Sequence, residues 1–417
     1  MKNSVLEAEA GCGATPASGG IPDSPAWTAV LSLAMGVFGL LTAEYLPASL
    51  LTPMALDLGV SEALTGQAVT VTAVVALFAG LLVPGLTRSF DRRVVLLGFS
   101  VLMILSNLLV AASSSLAVLL LMRILLGVAL GGFWSMAAAV AMRLVPASLL
   151  PRALSIIFSG IALGTVVAVP LGSYLGGRHG WRSAFLAAAA VGVVTLAVQW
   201  FTLPRLAPRG VPTRLRTVLD VLRRPGVRVG MLACVLVHTG HFALFTYIRP
   251  FLEHAVRMGP DGLAVMLLGF GLANFAGTLA AGWLLHRSAR FTLVLMPALV
   301  GLAALTMVVL PASVGAQAML VALWGFAFGA VPVAWSNWVA LAVPDQPESA
   351  GGMVVACVQS AIAAGAAAGG AMLSVGGIAG VFVAGGVLML VAALLIAMTV
   401  SVGPAPAGGP MPGRPHL

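Results

Sequence analysis

The sequence predicts an all-α polytopic membrane protein, with twelve transmembrane helices arranged as two pseudo-symmetric six-helix bundles. Three observations carry that prediction. Of the 417 residues, 60% are hydrophobic and only 8% charged, with a mean hydropathy of +1.09. Soluble domains carry about 25% charged residues, so this much apolar surface has no place in a water-soluble core. The apolar residues fall into twelve runs of about the 20 residues that a helix needs to cross a bilayer. Finally, the two halves of the chain repeat one another in register.

Residues 1–26 are small and Gly/Ser/Pro-rich, without a cationic start leading into a short apolar segment, and read as a disordered cytoplasmic tail instead of a cleaved signal peptide. The twelve runs follow at 27–50, 65–86, 94–112, 116–142, 153–175, 184–203, 229–251, 263–285, 291–310, 316–343, 352–375 and 378–402. They divide into an N-terminal bundle (27–203), a basic cytoplasmic linker (204–228) and a C-terminal bundle (229–402). A second Pro/Gly-rich cytoplasmic tail (403–417) ends the chain.

An even number of crossings places both termini on one side, and the basic residues decide which. With the termini inside, the cytoplasmic segments hold sixteen Lys and Arg, seven of them between Arg205 and Arg228, whereas the outer loops hold only Arg178, Arg182 and Arg257. This asymmetry is the positive-inside pattern, and it accounts for the net charge of +9 without a nucleic-acid partner. Cys12, Cys234 and Cys357 are too few and too scattered for a disulfide framework or a metal site.

The repeat is visible residue by residue. LLGVALGG (125–132) in the fourth run matches ALWGFAFGA (322–330) in the tenth, so that Gly127 pairs with Gly325 and Gly131 with Gly329, both at an offset of 198; VP follows each, at Val145–Pro146 and Val343–Pro344. The turn from Gly85 to Arg93 matches Gly282 to Arg290, and Glu44 stands three residues before Pro47 as Tyr247 stands three before Pro250. Glycines four apart let helices approach closely. Three such matches in register indicate a duplicated six-helix unit.

Inside the spans, charge is rare and therefore informative. Of the twelve acids only Glu44 lies well within a run. A carboxylate facing lipid costs at least about 2.5–3.5 kcal/mol, so it must face the bundle interior, be paired, or be protonated. Two readings stand for it: a proton-coupling or substrate-contacting residue, or a structural one at a kink made by Pro47. The seventh run carries His238, His241, Tyr247 and Arg249. His238 and His241 share a helix face and titrate near neutral pH, which fits a proton relay, while a bond to a backbone carbonyl is the structural alternative. Counting depth along the helices places Arg249 level with Glu44, and an outer ion pair between them is expected in one state. Arg123 in the fourth run has Val321 at its repeat position; it is either a buried functional charge or an arginine snorkelling to the interface. For a flat polar cargo, aromatic faces and amides are the candidates: Phe133 and Trp134, Trp335 and Trp338, with Asn274, Asn337 and Gln359 as edge-reading amides. Tryptophan also serves as a packing or interfacial residue. There is no HExxH, no intramembrane aspartate and no nucleophile elbow, so an intramembrane enzyme is not expected.

Twelve helices as six plus six, a basic central linker and a Gly-plus-arginine turn resemble the major facilitator superfamily of secondary transporters. The turn departs from the general family pattern: its acid is expected four residues after Gly85, where Ser89 stands, and the acid present is Asp91, followed by Arg92 and Arg93. The resemblance narrows to the twelve-helix drug–proton antiporter branch, and within it to the purine ribonucleoside efflux pumps. It rests on LPASLLTPMALDLGVSEALTGQAVTVTAVVALFA (46–79), LGGFWSMAAAVAMRLVP (130–146), PLGSYLGGRHGWRSAF (170–185), RRPGVRVGM (223–231), FALFTYIRP (242–250) and VPVAWSNWVA (331–340). The resemblance implies a proton antiporter of the bacterial inner membrane, acting as a monomer and exporting inosine, guanosine and analogues. It implies a substrate site near the midplane between the repeats, no cofactor beyond the proton gradient, and a part in proton coupling for Arg123. A broader drug or sugar exporter of the same superfamily is the alternative.

Overall fold

The computed structural model describes residues 25–208, 222–224, 226–310, 313–343 and 347–400. The predicted C-terminal tail, nearly all of the N-terminal one, most of the linker, and Cys12 and Pro344 lie outside the described residues. Every regular element described is helical. Among the described residues, ten helices are long and apolar enough to cross a membrane, and two of them, Pro260–Val309 and Gly351–Thr399, are of double length at 50 and 49 residues. Each double helix is broken. Ser288 has extended backbone (φ −168°, ψ 111°), and Gly377 adopts φ +64°, which favours glycine. Both breaks fall between the runs read from the sequence, so the chain makes twelve crossings, numbered here as spans 1 to 12; span 5 is Arg152–His179, spans 8 and 9 are the parts of Pro260–Val309 before and after Ser288, and spans 11 and 12 those of Gly351–Thr399 before and after Gly377.

Local chemistry sets several boundaries. The Ser61 hydroxyl accepts from Leu64 N–H and starts the turn into span 2 (Gln67–Leu86). Asp91 caps span 3 (Arg92–Ala111) by accepting from Arg93 N–H at 2.8 Å, and the same oxygen accepts from Leu206 N–H at 2.9 Å, tying down the chain that leaves span 6 (Trp181–Thr202). The predicted turn residues therefore serve structure here. Arg92 bonds the Thr87 hydroxyl, Arg93 bonds the Trp200 carbonyl, and Gly85 has open space beside it. Span 1 (Trp27–Ser49) contains Pro47 and breaks at Leu50; span 7 (Val227–Thr246) breaks at Tyr247, is followed by Ile248–Pro250, and ends in a π-helical turn, Phe251–Ala255.

The repeat is also a repeat of packing. Gly127 and Gly131 of span 4 (Leu116–Leu144) lie against the Thr72 and Ala76 carbonyls of span 2, where a Cβ has no room. Gly325 and Gly329 of span 10 (Val314–Ala342) lie in the same way against the Phe270 and Asn274 carbonyls of span 8.

The two halves meet at one end of the bundle. The main apolar cluster of the second half takes in Ala48, Leu51, Val69, Ala73 and Val169 of the first, all from the end that bears Arg178 and Arg182. At the opposite end, a cluster running from Ala29 to Leu206 draws on the first half alone. We refer to the first as the joined end. The joined end is latched by Arg178 on Asp261 at 3.0 Å and by Gly271 of span 8 packed on the Thr165 carbonyl in the π-helical turn of span 5.

Candidate transport site

Spans 1 and 7 line the interior: 78% and 72% of their apolar windows are buried, against 33% to 50% for the other spans. Between their far turns lies a narrow cavity of about 10 Å³, about enough for one water molecule. Glu44, Tyr45 and Ala48 of span 1, Val69 of span 2, Phe242, Phe245 and Thr246 of span 7, and Ile362 of span 11 form its walls. Both halves contribute, and the cavity sits toward the joined end.

Pro47 organises the first-half wall. A proline in a helix has no N–H, which leaves the carbonyl four residues earlier, on Ala43, without its helical donor. Arg123 of span 4 takes that place: its Nη1 donates to the Ala43 carbonyl at 2.8 Å, its Nε donates to the Thr72 hydroxyl at 2.9 Å, and its Nη2 lies 3.5 Å from the Glu44 carbonyl. Arg123 is 0% exposed, so it does not snorkel. Glu44 is 4% exposed, its Oε1 has no hydrogen-bond partner, and the nearest opposing charge acting on it is Arg123.

The ion pair of Glu44 with Arg249 is not formed in this structure. Arg249 binds Glu253, one helical turn on, with Nε and Nη2 each 2.8 Å from Oε1, and donates to the Ser49 carbonyl at the end of span 1. Depth along a helix is one coordinate; the side of the helix decides the partner. His238 donates from Nδ1 to the Cys234 carbonyl at 2.8 Å and packs edge-on against Phe328. His241 sits among Phe242, Phe245, Phe270, Phe328 and Trp324. The Trp324 indole, a donor only, is 3.1 Å from His241 Nδ1, so that nitrogen accepts and the ring proton sits on Nε2.

Of the other candidates, Tyr247 is buried, donates to the Ala366 carbonyl at 3.0 Å and wedges between spans 2 and 11 against Gly66 and Gly370. Asn274 donates to the Gly325 carbonyl at 3.4 Å, at the contact between spans 8 and 10. Trp335 and Trp338 stack edge to face, and Trp338 fills the space beside Gly230 of span 7; Trp134 leans on Phe133 and Phe158. Asn337 is half-buried, and Gln359, on span 11 three residues before Ile362, is buried with its Oε1 unpartnered. The structure thus brings Glu44 to the cavity, and leaves Asn274, Trp335 and Trp338 in helix contacts. Thr246 and Tyr45 went unseen in the sequence because neither carries a charge; the proline four residues after Thr246 was the available signal.

The sequence profile described as Major Facilitator Superfamily matches residues 33–366. The chain belongs to this superfamily. It is therefore a multi-pass membrane transporter of a small molecule and not an enzyme. Two curated relatives are similar over most of its length: the purine ribonucleoside efflux pump NepI of Salmonella enteritidis PT4, 45% identical over 91% of this chain and 96% of the relative, and that of Salmonella paratyphi A, 44% identical over the same shares. Among solved structures, a D-xylose-proton symporter superposes with a TM-score of 0.75 over 91% of this chain and 99% of that one at 17% identity, which shows the superfamily fold alone. In members of this superfamily a cargo site between the two halves is reached from one end at a time, and the cavity described above is walled by both halves.

Proposed function

We propose that this transporter exports purine ribonucleosides across the bacterial inner membrane in exchange for protons. In this reading both termini are cytoplasmic, the chain acts as a monomer, and it needs no cofactor beyond the proton gradient. The observation that carries the reading is Glu44: among the described residues it is the one carboxylate buried inside a span, it faces the cavity between the halves, and it lies beside the buried Arg123. Ionised, Glu44 balances Arg123. Protonated, it leaves a net positive charge at the contact between halves. The two forms differ by one charge where the halves meet, so each favours a different arrangement, and a two-state carrier is biased only by such a difference.

With basic loops inside, the joined end faces outward in this reading, and cargo for export is loaded from the opposite, cytoplasmic side. The cargo class comes from the 45% identical relatives and is supported by aromatic walls beside hydrogen-bonding groups. Uptake of radiolabelled inosine into everted membrane vesicles, with and without a proton gradient, tests the proposal. Gradient-dependent accumulation is expected. Accumulation no greater than in vesicles lacking the protein would overturn it.

A further inference from the structure

Two buried oxygens on the cavity wall have no hydrogen-bond partner: Glu44 Oε1 and Thr246 Oγ1. One comes from the first half and the other from the second, so they share a cavity only where the halves meet. An unsatisfied buried polar atom destabilises a fold unless something else completes it. In a cavity between moving halves, a cargo group can complete it.

The chemistry of the two groups restricts what the partner presents. An ionised carboxylate accepts hydrogen bonds and a threonine hydroxyl does either, so the pair is matched by a group with neighbouring donors. The six-membered edge of a purine is not such a group across the class: N1 is an acceptor in adenosine and a protonated donor in inosine and guanosine. The ribose offers the same neighbouring pair of O–H donors whatever the base. A carboxylate takes such hydroxyls with its two oxygens, as an acidic side chain holds the ribose 2′-OH in dinucleotide-binding folds. The base has its own surface close by, since Tyr45 and Phe245 meet edge to face at 5.7 Å and Phe242 completes the apolar wall.

We infer that Glu44 and Thr246 read the ribose of the cargo, with Glu44 on the 2′,3′-diol, so that the carrier separates ribonucleosides from 2′-deoxyribonucleosides. This inference rests on the purine ribonucleoside reading given above. It assigns the polar recognition to the sugar and leaves the base to aromatic contact.

Displacement of tritiated inosine from the purified full-length protein tests it. Purine riboside, which keeps the ribose and lacks the N1–H donor, is expected to displace inosine within a few-fold of inosine itself. 2′-Deoxyinosine is expected to be about 10- to 100-fold weaker, the range for one lost hydrogen bond to a charged group. Thr246→Val, which keeps the shape and removes the hydroxyl, should weaken inosine several-fold and purine riboside equally. Equal displacement by inosine and 2′-deoxyinosine, or loss of competition by purine riboside alone, overturns the inference while the nucleoside reading stands. The two analogues need no variant. If inosine does not bind at all, the nucleoside reading fails and this one with it.

Discussion

The far turns of span 1 and span 7 hold equivalent places in the two halves and carry different chemistry. In span 1, Pro47 frees the Ala43 carbonyl and Arg123 of the same half occupies it, so Glu44 has a guanidinium beside it that never leaves its own bundle. In span 7, the position equivalent to Glu44 is Tyr247, buried in helix contacts, and the residue equivalent to Arg123 is the buried Val321. The cation of that half, Arg249, pairs with Glu253 and reaches across to Ser49 of the other half. A duplicated scaffold has thus separated two tasks: a charge couple within one half, able to hold or release a proton, and a latch between halves, able to form or break.

The comparison breaks first at Arg123. Arg123→Ala leaves the Ala43 carbonyl, the Thr72 hydroxyl and Glu44 without their donor, and removing one partner of a buried charge couple costs about 3–5 kcal/mol. Val321→Ala at the matching position loses two methyl groups from a packed helix contact, about 1–2 kcal/mol. Thermal unfolding in detergent should order them so, with inosine transport lost in the first variant only. Equal effects would mean that the asymmetry between the halves is decorative.

The latch sharpens the other side. Arg249→Ala removes the bond to Ser49 and the pair with Glu253, and charge-assisted hydrogen bonds of this kind contribute about 1.5–3 kcal/mol each. Opening of the joined end should then rise by about tenfold or more. A cysteine placed at Ala48, buried on the cavity wall, reports it as faster labelling by a membrane-impermeant maleimide added outside cells. An unchanged rate in Arg249→Ala would show that apolar packing alone closes this end.

The smallest effect is expected at Asp57, outside the spans. Arg182 donates to its carboxylate at 2.6 Å and Trp181 at 3.1 Å, and these bonds hold its pKa below the ordinary value of 3.8. A depressed carboxylate contributes stability that is present above its ordinary pKa and lost as pH falls through its lowered one. Asp57 and Arg182 are both well exposed, so Asp57→Asn should cost no more than about 1 kcal/mol at neutral pH. The difference from the parent protein should shrink as pH falls below 3.8 and vanish once pH drops below the lowered pKa, where the parent's Asp57 is protonated as well.

Much of the fold was legible in the sequence because a bilayer fixes the length of a crossing and glycines at an offset of 198 fix the repeat. Glu44 was legible because a lone carboxylate among apolar residues has few places to go. Its neighbour was not. Arg249 and Arg123 both stand near its level, and the choice between them turns on which side of span 4 faces the carbonyl that Pro47 releases. Asn274 misled for a related reason: a buried amide joins two helices as readily as it reads a ligand, and the Gly325 carbonyl lay within its reach. Thr246 has no charge, and the proline four residues on marks the turn without singling out its hydroxyl, which only the meeting of the two halves makes conspicuous.

The central claim is that Glu44 carries the proton exchanged for cargo. Glu44→Gln in proteoliposomes tests it most directly, because glutamine keeps an acceptor oxygen in the same shape and cannot ionise. At saturating inosine, exchange of labelled for unlabelled inosine should persist within a few-fold of the parent protein, while uphill transport driven by a pH gradient should disappear. Uphill transport that survives in Glu44→Gln would place the proton elsewhere and contradict the account.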